Sequence, residues 1–304
     1  MQYLLGLVVL VLLYVALSSS FNLYLGYGGL FSIAHAAFFG VGAYTSALLS
    51  MDAGVPVPLA MLAATAACAV VSLGVALPAL RVSGDYLLVA SLGFLLGMQQ
   101  VMTNLTITGS AAGLSNIPPL AFGAFNLTYG AGYLLPVAFV AALAVALGRW
   151  VAHSPYGLAL RALRQNEAAL ASLGRDPMQL KVSVFALGCA VAGLAGALYT
   201  NYAGLLVPDL FSYGLSAQIL ATAVLGGINS FGGAVVSSLV FNGVPQMAQV
   251  TAFYQYLIFG VVLIVMMQFA PRGLSQIAVY AVARAHRLLS GGAGEPRAAA
   301  VRRS

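Results

Sequence analysis

Residues 149–174 read RWVAHSPYGLALRALRQNEAALASLG, and they interrupt an otherwise apolar chain. Of the 304 residues, 62% are hydrophobic and only 6% are charged, whereas soluble domains carry about 25% charged residues. This composition argues against a water-soluble fold. The apolar runs are continuous, which predicts membrane-spanning helices and not the alternating strands of a β-barrel. We therefore predict an all-α, polytopic transmembrane helical bundle with about 8–10 membrane segments.

Glycine- and proline-rich joints separate the candidate spans along the chain. The spans cover residues 2–20, 30–50, 57–80, 86–103, 131–150, 182–206, 212–228, 232–249 and 252–270. The Gly-rich end of 212–232 is compatible with a re-entrant or broken helix. We divide the chain into a transmembrane domain, 1–275, and a C-terminal tail, 276–304. The transmembrane domain contains a charged segment, 149–181, which we name the basic loop.

The positive charges indicate the topology. Of twelve Lys and Arg residues, five lie in the basic loop, six lie in 272–303, and Arg81 stands alone. Cytoplasmic segments carry an excess of Lys and Arg, so the basic loop and the tail are both predicted to be cytoplasmic. Four apolar segments separate them, and an even number returns the chain to the same side. A single span, 131–150, separates the polar segment 104–130 from the basic loop, so this segment is predicted to lie outside. The net charge of +6 thus reflects membrane topology and not nucleic-acid binding.

The basic loop has the pattern of an amphipathic helix. One face carries Leu160, Leu163, Leu170 and Leu173, and the opposite face carries Arg161, Arg164, Gln165 and Ser172. Asp176-Pro177 is expected to end the segment, because the residue before a proline disfavours the helical conformation. Two interpretations are open on this pattern alone. The loop lies on the anionic inner leaflet, or it is a lever that inserts into a cleft of a cytoplasmic partner.

Several motifs occur in a fixed order along the chain. They are GYGGLFSIAHAAFFGVGAY (26–44), RVSGDYLLVASLGF (81–94), TGSAAGLSNIP (108–118), the loop and span 157–199, LGGINSFGG (225–233) and FAPRGL (269–274). Together they resemble bacterial ABC-importer permeases of the branched-chain amino-acid type (LivM-like), over about residues 22–275. Each motif alone is weakly specific, but their common order is strongly specific.

The resemblance implies a division of labour in the bacterial inner membrane. Such a permease pairs with a second homologous permease subunit, binds two cytoplasmic ABC ATPases through its loop, and receives substrate from an extracytoplasmic binding protein. It implies a path for branched-chain or related amino acids, without a cofactor. The only lysine is Lys181, so the chain has no G-x-x-x-x-G-K-[ST] phosphate loop and is not expected to be an enzyme. The residues expected to couple the loop to the ATPases are Arg161, Arg164, Asn166, Glu167, Ala168 and Gly174.

Polar and small residues within the spans are the other candidates. His35, Tyr44, Gln99 and Asn229 could line the path, although interhelical hydrogen bonding is the alternative for such groups. Gly193 and Gly196 are expected to allow close helix packing. Cys68 and Cys189 lie in apolar runs, and no metal site is expected.

Two other functions compete with this interpretation. One is an ABC permease for another small solute, such as urea or amides. The other is an ion-coupled secondary transporter, which typically has ionisable residues at the membrane midplane and inverted repeats. The span interiors show no convincing Asp, Glu, Lys or Arg.

Overall fold

The computed structural model describes residues 2–79, 85–122, 125–126, 131–243, 260–261 and 264. Arg81, most of 252–270 and the tail 276–304 lie outside these residues, as does the end of the predicted span 232–249. The helices are, in chain order, α1 (Gln2–Asn22), α2 (His35–Met51), α3 (Val57–Ala79), α4 (Asp85–Asn104), α5 (Ala131–His153), α6 (Pro155–Gln165), α7 (Glu167–Ser172), α8 (Pro177–Ala203), α9 (Tyr213–Gly226) and α10 (Phe231–Ser238). The all-α fold class is confirmed.

Five helices in the described part of the chain are long and apolar enough to cross a membrane. These spans are Tyr3–Tyr27, Val57–Pro78, Tyr86–Asn104, Gly132–His153 and Pro177–Ala203. The first joins α1 to a π-helical turn, Leu23–Tyr27, and a second π-helical turn, Leu239–Gly243, follows α10. The protein is therefore a multi-pass membrane protein.

Three predicted spans differ from the observed helices. The span 30–50 begins only at His35, with residues 28–34 non-helical. The span 182–206 begins earlier, at Pro177, because the Asp176 carboxylate accepts a hydrogen bond from the Met178 amide (2.9 Å) and caps the helix. The segment 212–228 is the 14-residue α9, which rises about 21 Å and is shorter than a hydrocarbon core.

Helix α8 forms the centre of the bundle and packs most extensively against α2 and α3. Its glycines lie at these crossings. A Cβ placed on Gly196 would overlap the Phe39 carbonyl oxygen of α2, and one on Gly193 would lie 2.7 Å from the Cβ of Cys68 on α3. The backbones can approach this closely only because the side chains are absent.

The outer helices present apolar surface. Val70 on α3, Val89 on α4 and Phe139 on α5 are each 67% exposed. Exposed apolar residues in this number are costly in water. These faces therefore fit contact with lipid or with another membrane subunit.

Short strands lie in the segment between α4 and α5 and after α8. Strand β1 (Leu114–Ser115) pairs antiparallel with β4 (Leu205–Leu206), and β2 (Ala121–Phe122) pairs with β3 (Phe125–Asn126). The β1–β4 pair places the segment after α4 beside the C-terminal end of α8. The basic loop lies at the other end of α8, which we call the loop end. This arrangement agrees with the prediction that 104–130 and the basic loop lie on opposite sides.

Candidate functional site

The basic loop contains two short helices, where the periodicity predicted one. Ser154 caps α6, since its hydroxyl accepts a hydrogen bond from the Gly157 amide (3.2 Å). Asn166 is extended (φ −159°), ends α6 and caps α7 by accepting a hydrogen bond from the Ala169 amide (3.0 Å). Asparagine at this position competes with the helix for backbone hydrogen bonds, and the prediction of a continuous helix was wrong for this reason.

The apolar face of the loop is covered by the protein itself. Leu160, Leu163 and Leu170 are buried, whereas Leu173 is 77% exposed. Leu173 follows the last residue of α7, and the break at Asn166 has already changed the register, so the prediction that it shares one face with the other three leucines was wrong. Helix α6 packs against α5 and α8, and α7 packs against α6 and α8. An amphipathic helix lying on the lipid surface would keep its apolar face for the bilayer, and these leucines are not available for that.

Tyr156 attaches the start of α6 to α8. Its hydroxyl lies 2.6 Å from the Ser183 hydroxyl and donates a longer hydrogen bond, 3.4 Å, to the Leu180 carbonyl. Burial raises the pKa of the Tyr156 phenol above its ordinary value. A tyrosine is already protonated at neutral pH at its ordinary pKa, so the phenol can donate to α8.

The two arginines of α6 have different partners. The Arg161 guanidinium donates to the Ala152 carbonyl (2.9 Å) and to the Gly157 carbonyl (3.3 Å), both within nine residues of it. The Arg164 guanidinium donates to the Gly26 carbonyl (2.6 Å), which lies 138 positions away in the chain. Arg161 therefore stabilises the α5–α6 corner, and Arg164 connects the loop to the first span.

The remaining predicted coupling residues lie on the exposed face of the loop. Lys181 donates to both carboxylate oxygens of Glu167, at 2.8 and 2.7 Å, and thereby joins α7 to α8. The Glu167 side chain is still 51% exposed, so this pair adds little stability, about 0–1 kcal/mol. Ala168 is exposed, and a Cβ on Gly174 (φ 78°) would meet no atom within 4 Å. Within the described part of the chain nothing covers this surface, so it can contact another molecule.

The four predicted path-lining residues are not brought together. His35 is buried, with its Nε2 3.0 Å from the Ser20 hydroxyl and its Nδ1 3.1 Å from the Tyr24 hydroxyl. Tyr44 is also buried on α2, and within the described residues its hydroxyl has no hydrogen-bond partner. Gln99 is half-buried on α4. Asn229 lies in the α9–α10 turn at the loop end. Their role in the path stays a prediction.

The structure contains a cavity of about 230 Å³ that was not predicted from the sequence. It lies between α1, α2, α8 and α9, towards the end opposite the loop. Its lining includes Leu10, Leu13, Leu17, Phe39 and Tyr199. The leucines at positions 10, 13 and 17 share one face of α1, but in a fully apolar helix this spacing does not stand out. The cavity has the character of a site for an aliphatic group.

The chain is similar to permease proteins of known transport systems. The sequence profile described as "Branched-chain amino acid transport system / permease component" matches residues 3–267. The LivM high-affinity branched-chain amino acid permease protein of Escherichia coli is 32% identical over 87% of this chain and 68% of its own length. BraD of Pseudomonas aeruginosa is 26% identical over 86% of the chain and 91% of its own length.

A second kind of permease protein from the same transport system is also similar. LivH of Escherichia coli is 28% identical over 45% of the chain and 44% of its own length. No solved structure shows a significant match. The LivM-like resemblance predicted from the motifs is confirmed by the profile and by these relatives. The chain belongs to the family of permease components of branched-chain amino acid transport systems, which are transport proteins and not enzymes.

Proposed function

We propose that this permease forms one half of the translocation path of an ABC importer for branched-chain or closely related amino acids. A second homologous permease supplies the other half, two ATPases bind the basic loops from the cytoplasm, and an extracytoplasmic binding protein delivers the substrate. The observation that carries the proposal is the combination of a family match over residues 3–267 with a loop whose leucines are buried against its own bundle. The opposite surface of that loop, with Glu167 and Ala168, is exposed in the described part of the chain and can bind a partner.

The apolar cavity favours branched-chain amino acids over urea or amides as the substrate. Its lining of leucine and aromatic side chains suits an aliphatic side chain and offers few groups to a small polar amide. Ion coupling has less support. The only Asp, Glu, Lys or Arg residues in the five described spans are Arg149 and Lys181. Both lie near the loop end, away from the midplane where coupling ions are bound.

Reconstitution tests the subunit arrangement. Proteoliposomes with both permeases, the ATPases and the binding protein should accumulate radiolabelled leucine when ATP is supplied on the ATPase side. Vesicles that hold this chain alone should show no ATP-dependent uptake, because nothing in them couples hydrolysis to movement. The matched control replaces the lysine of the phosphate-binding loop in the ATPases, and this substitution should abolish uptake by the full complex. Leucine uptake by this chain alone would contradict the proposal.

Cysteine labelling tests the proposed sidedness. Both native cysteines, Cys68 and Cys189, are buried, so they should give a low background. Ile107 at the opposite end is 65% exposed, and Ser172 in the basic loop is also exposed. A membrane-impermeant maleimide should label Ile107→Cys in intact cells and Ser172→Cys only after permeabilisation. Labelling of Ser172→Cys in intact cells would place the basic loop outside and refute the ATPase-binding role.

A further inference from the structure

We propose that Arg164 is a positioning residue that connects the basic loop to the first span and to the α9–α10 turn. When the ATPases move the loop, Arg164 passes this movement to both elements at once. The inference rests on the proposed function, since it requires that ATPases act on the loop. In this inference the side chain of Arg164 makes its contact within the permease and not with the ATPase.

The first step is the contact between Arg164 and the end of the first span. The guanidinium Nη1 donates to the Gly26 carbonyl at 2.6 Å. Gly26 lies in the π-helical turn that follows α1. A hydrogen bond from a charged donor is stronger than one between neutral groups. Arg164 therefore holds the irregular end of the span against α6.

The second step is the contact with the α9–α10 turn. With its amide nitrogen facing Gly26, Asn229 donates to the same carbonyl at 2.6 Å, and its amide oxygen accepts from Arg164 Nη1 at 3.2 Å. A carbonyl oxygen has two lone pairs and can accept both donors. Gly26, Arg164 and Asn229 thus form a closed group of three that belongs to three separate segments.

Further contacts make the first span and the turn a single unit. The buried Asn22 side chain accepts a hydrogen bond from the backbone N–H of Asn229 (3.1 Å) and donates to the Gly227 and Ser230 carbonyls (3.4 Å each). Tyr27 donates to the Asn229 carbonyl at 3.3 Å. Because the turn is fixed to the span in this way, a displacement of Gly26 must also displace α9 and α10.

Two glycines give Arg164 access to this group. A Cβ on Gly26 would lie 2.8 Å from the Asn229 side chain, so there is no room for one. Gly29 has φ 67°, and a Cβ there would lie 2.9 Å from the Arg164 Cγ. The Arg164 stem therefore passes directly over Gly29. The GYGG sequence, which the motif comparison identified only as a signature, serves as the surface on which Arg164 lies.

The test uses the complete importer in proteoliposomes, with ATP hydrolysis and leucine uptake measured together. Arg164→Gln should still co-purify with the ATPases and hydrolyse ATP, but uptake per ATP should fall about tenfold, as expected for losing a hydrogen bond to a charged group. Arg164→Lys should recover part of the loss, because an ammonium group can still donate to the Gly26 carbonyl. Arg175→Gln removes the same charge from the exposed part of the same loop and should leave the ratio unchanged.

A second variant keeps the test valid if Arg164→Gln does not fold. Asn229 has φ 72°, which glycine adopts without strain. Asn229→Gly therefore removes the side-chain amide and leaves the backbone conformation of the turn accessible. It should lower uptake per ATP in the same direction. A ratio equal to that of Arg175→Gln in both variants would overturn the inference, and so would loss of the ATPases from Arg164→Gln. Absence of uptake by the unaltered complex would instead refute the proposed function.

Discussion

Replacing Gly193 by leucine is expected to prevent the transmembrane bundle from folding. Gly193 lies where α8 meets two helices: a Cβ there would be 2.7 Å from the Cβ of Cys68 on α3, and a Cβ on Gly42 of α2 would overlap the Gly193 backbone. Overpacking a well-filled core costs about 1–3 kcal/mol even where side chains can move. The obstacles to a Cβ on Gly193 are the Sγ and Cβ of Cys68, with the Ala64 carbonyl oxygen at 3.4 Å, and the larger leucine side chain could be placed only by separating the helices. The cost should therefore reach the upper end of that range or exceed it.

The melting temperature of the purified protein in detergent measures this effect. We expect Gly193→Leu to be recovered mainly as aggregate, or to melt far below the unaltered protein. The matched control is Gly97→Leu on α4, where a Cβ meets nothing within 4 Å, and its melting temperature should change little. The milder Gly193→Ala variant should be partly rescued by Cys68→Gly, which removes the opposing Cβ. Equal melting temperatures for Gly193→Leu and Gly97→Leu would contradict this account of the crossing.

The fold class was predictable because lipid leaves few choices. Backbone polar groups in the hydrocarbon core must be satisfied within the protein, which leaves helices and closed barrels, and long apolar runs such as 57–80 and 86–103 lack the alternation of barrel strands. Their bounds were predicted to within one residue. The prediction was less accurate where a capping residue decides, as at Asp176, which starts α8 at Pro177. A span estimated from hydropathy ends where polarity rises, but a helix continues through polar residues until a cap stops it.

The candidate site was predictable only in its local features. The spacing of leucines correctly placed Leu160, Leu163 and Leu170 on one face, but it did not predict that this face is buried against the protein's own bundle. The same spacing failed at Leu173, because a single asparagine divided the helix. The contact of Arg164 with Gly26 could not be predicted, since it joins residues 138 positions apart and depends on how three segments meet. Periodicity reports the face on which a residue lies, and it does not identify the partner on the other side.

Replacing Glu167 by lysine is expected to abolish assembly with the ATPases while the permease still inserts into the membrane. Glu167 begins α7, and its carboxylate is 51% exposed although it pairs with Lys181. The change places a second positive charge beside Lys181 and reverses the charge that a partner would meet. Like charges at an interface cost several kcal/mol, and about 3 kcal/mol lowers affinity more than a hundredfold. Co-purification of the ATPases with tagged permease measures the outcome.

Two further variants separate a partner contact from a role within the loop. Lys181→Ala removes the ion pair but keeps the Glu167 carboxylate, and it should retain the ATPases, because an exposed pair contributes only about 0–1 kcal/mol to stability. The exchange Glu167→Lys with Lys181→Glu restores an ion pair between α7 and α8 but presents the wrong charge to the partner. It should fail to assemble, like Glu167→Lys alone. If the exchange instead restored ATPase binding, Glu167 would act by holding α7 against α8, and its proposed contact with the ATPase would be refuted.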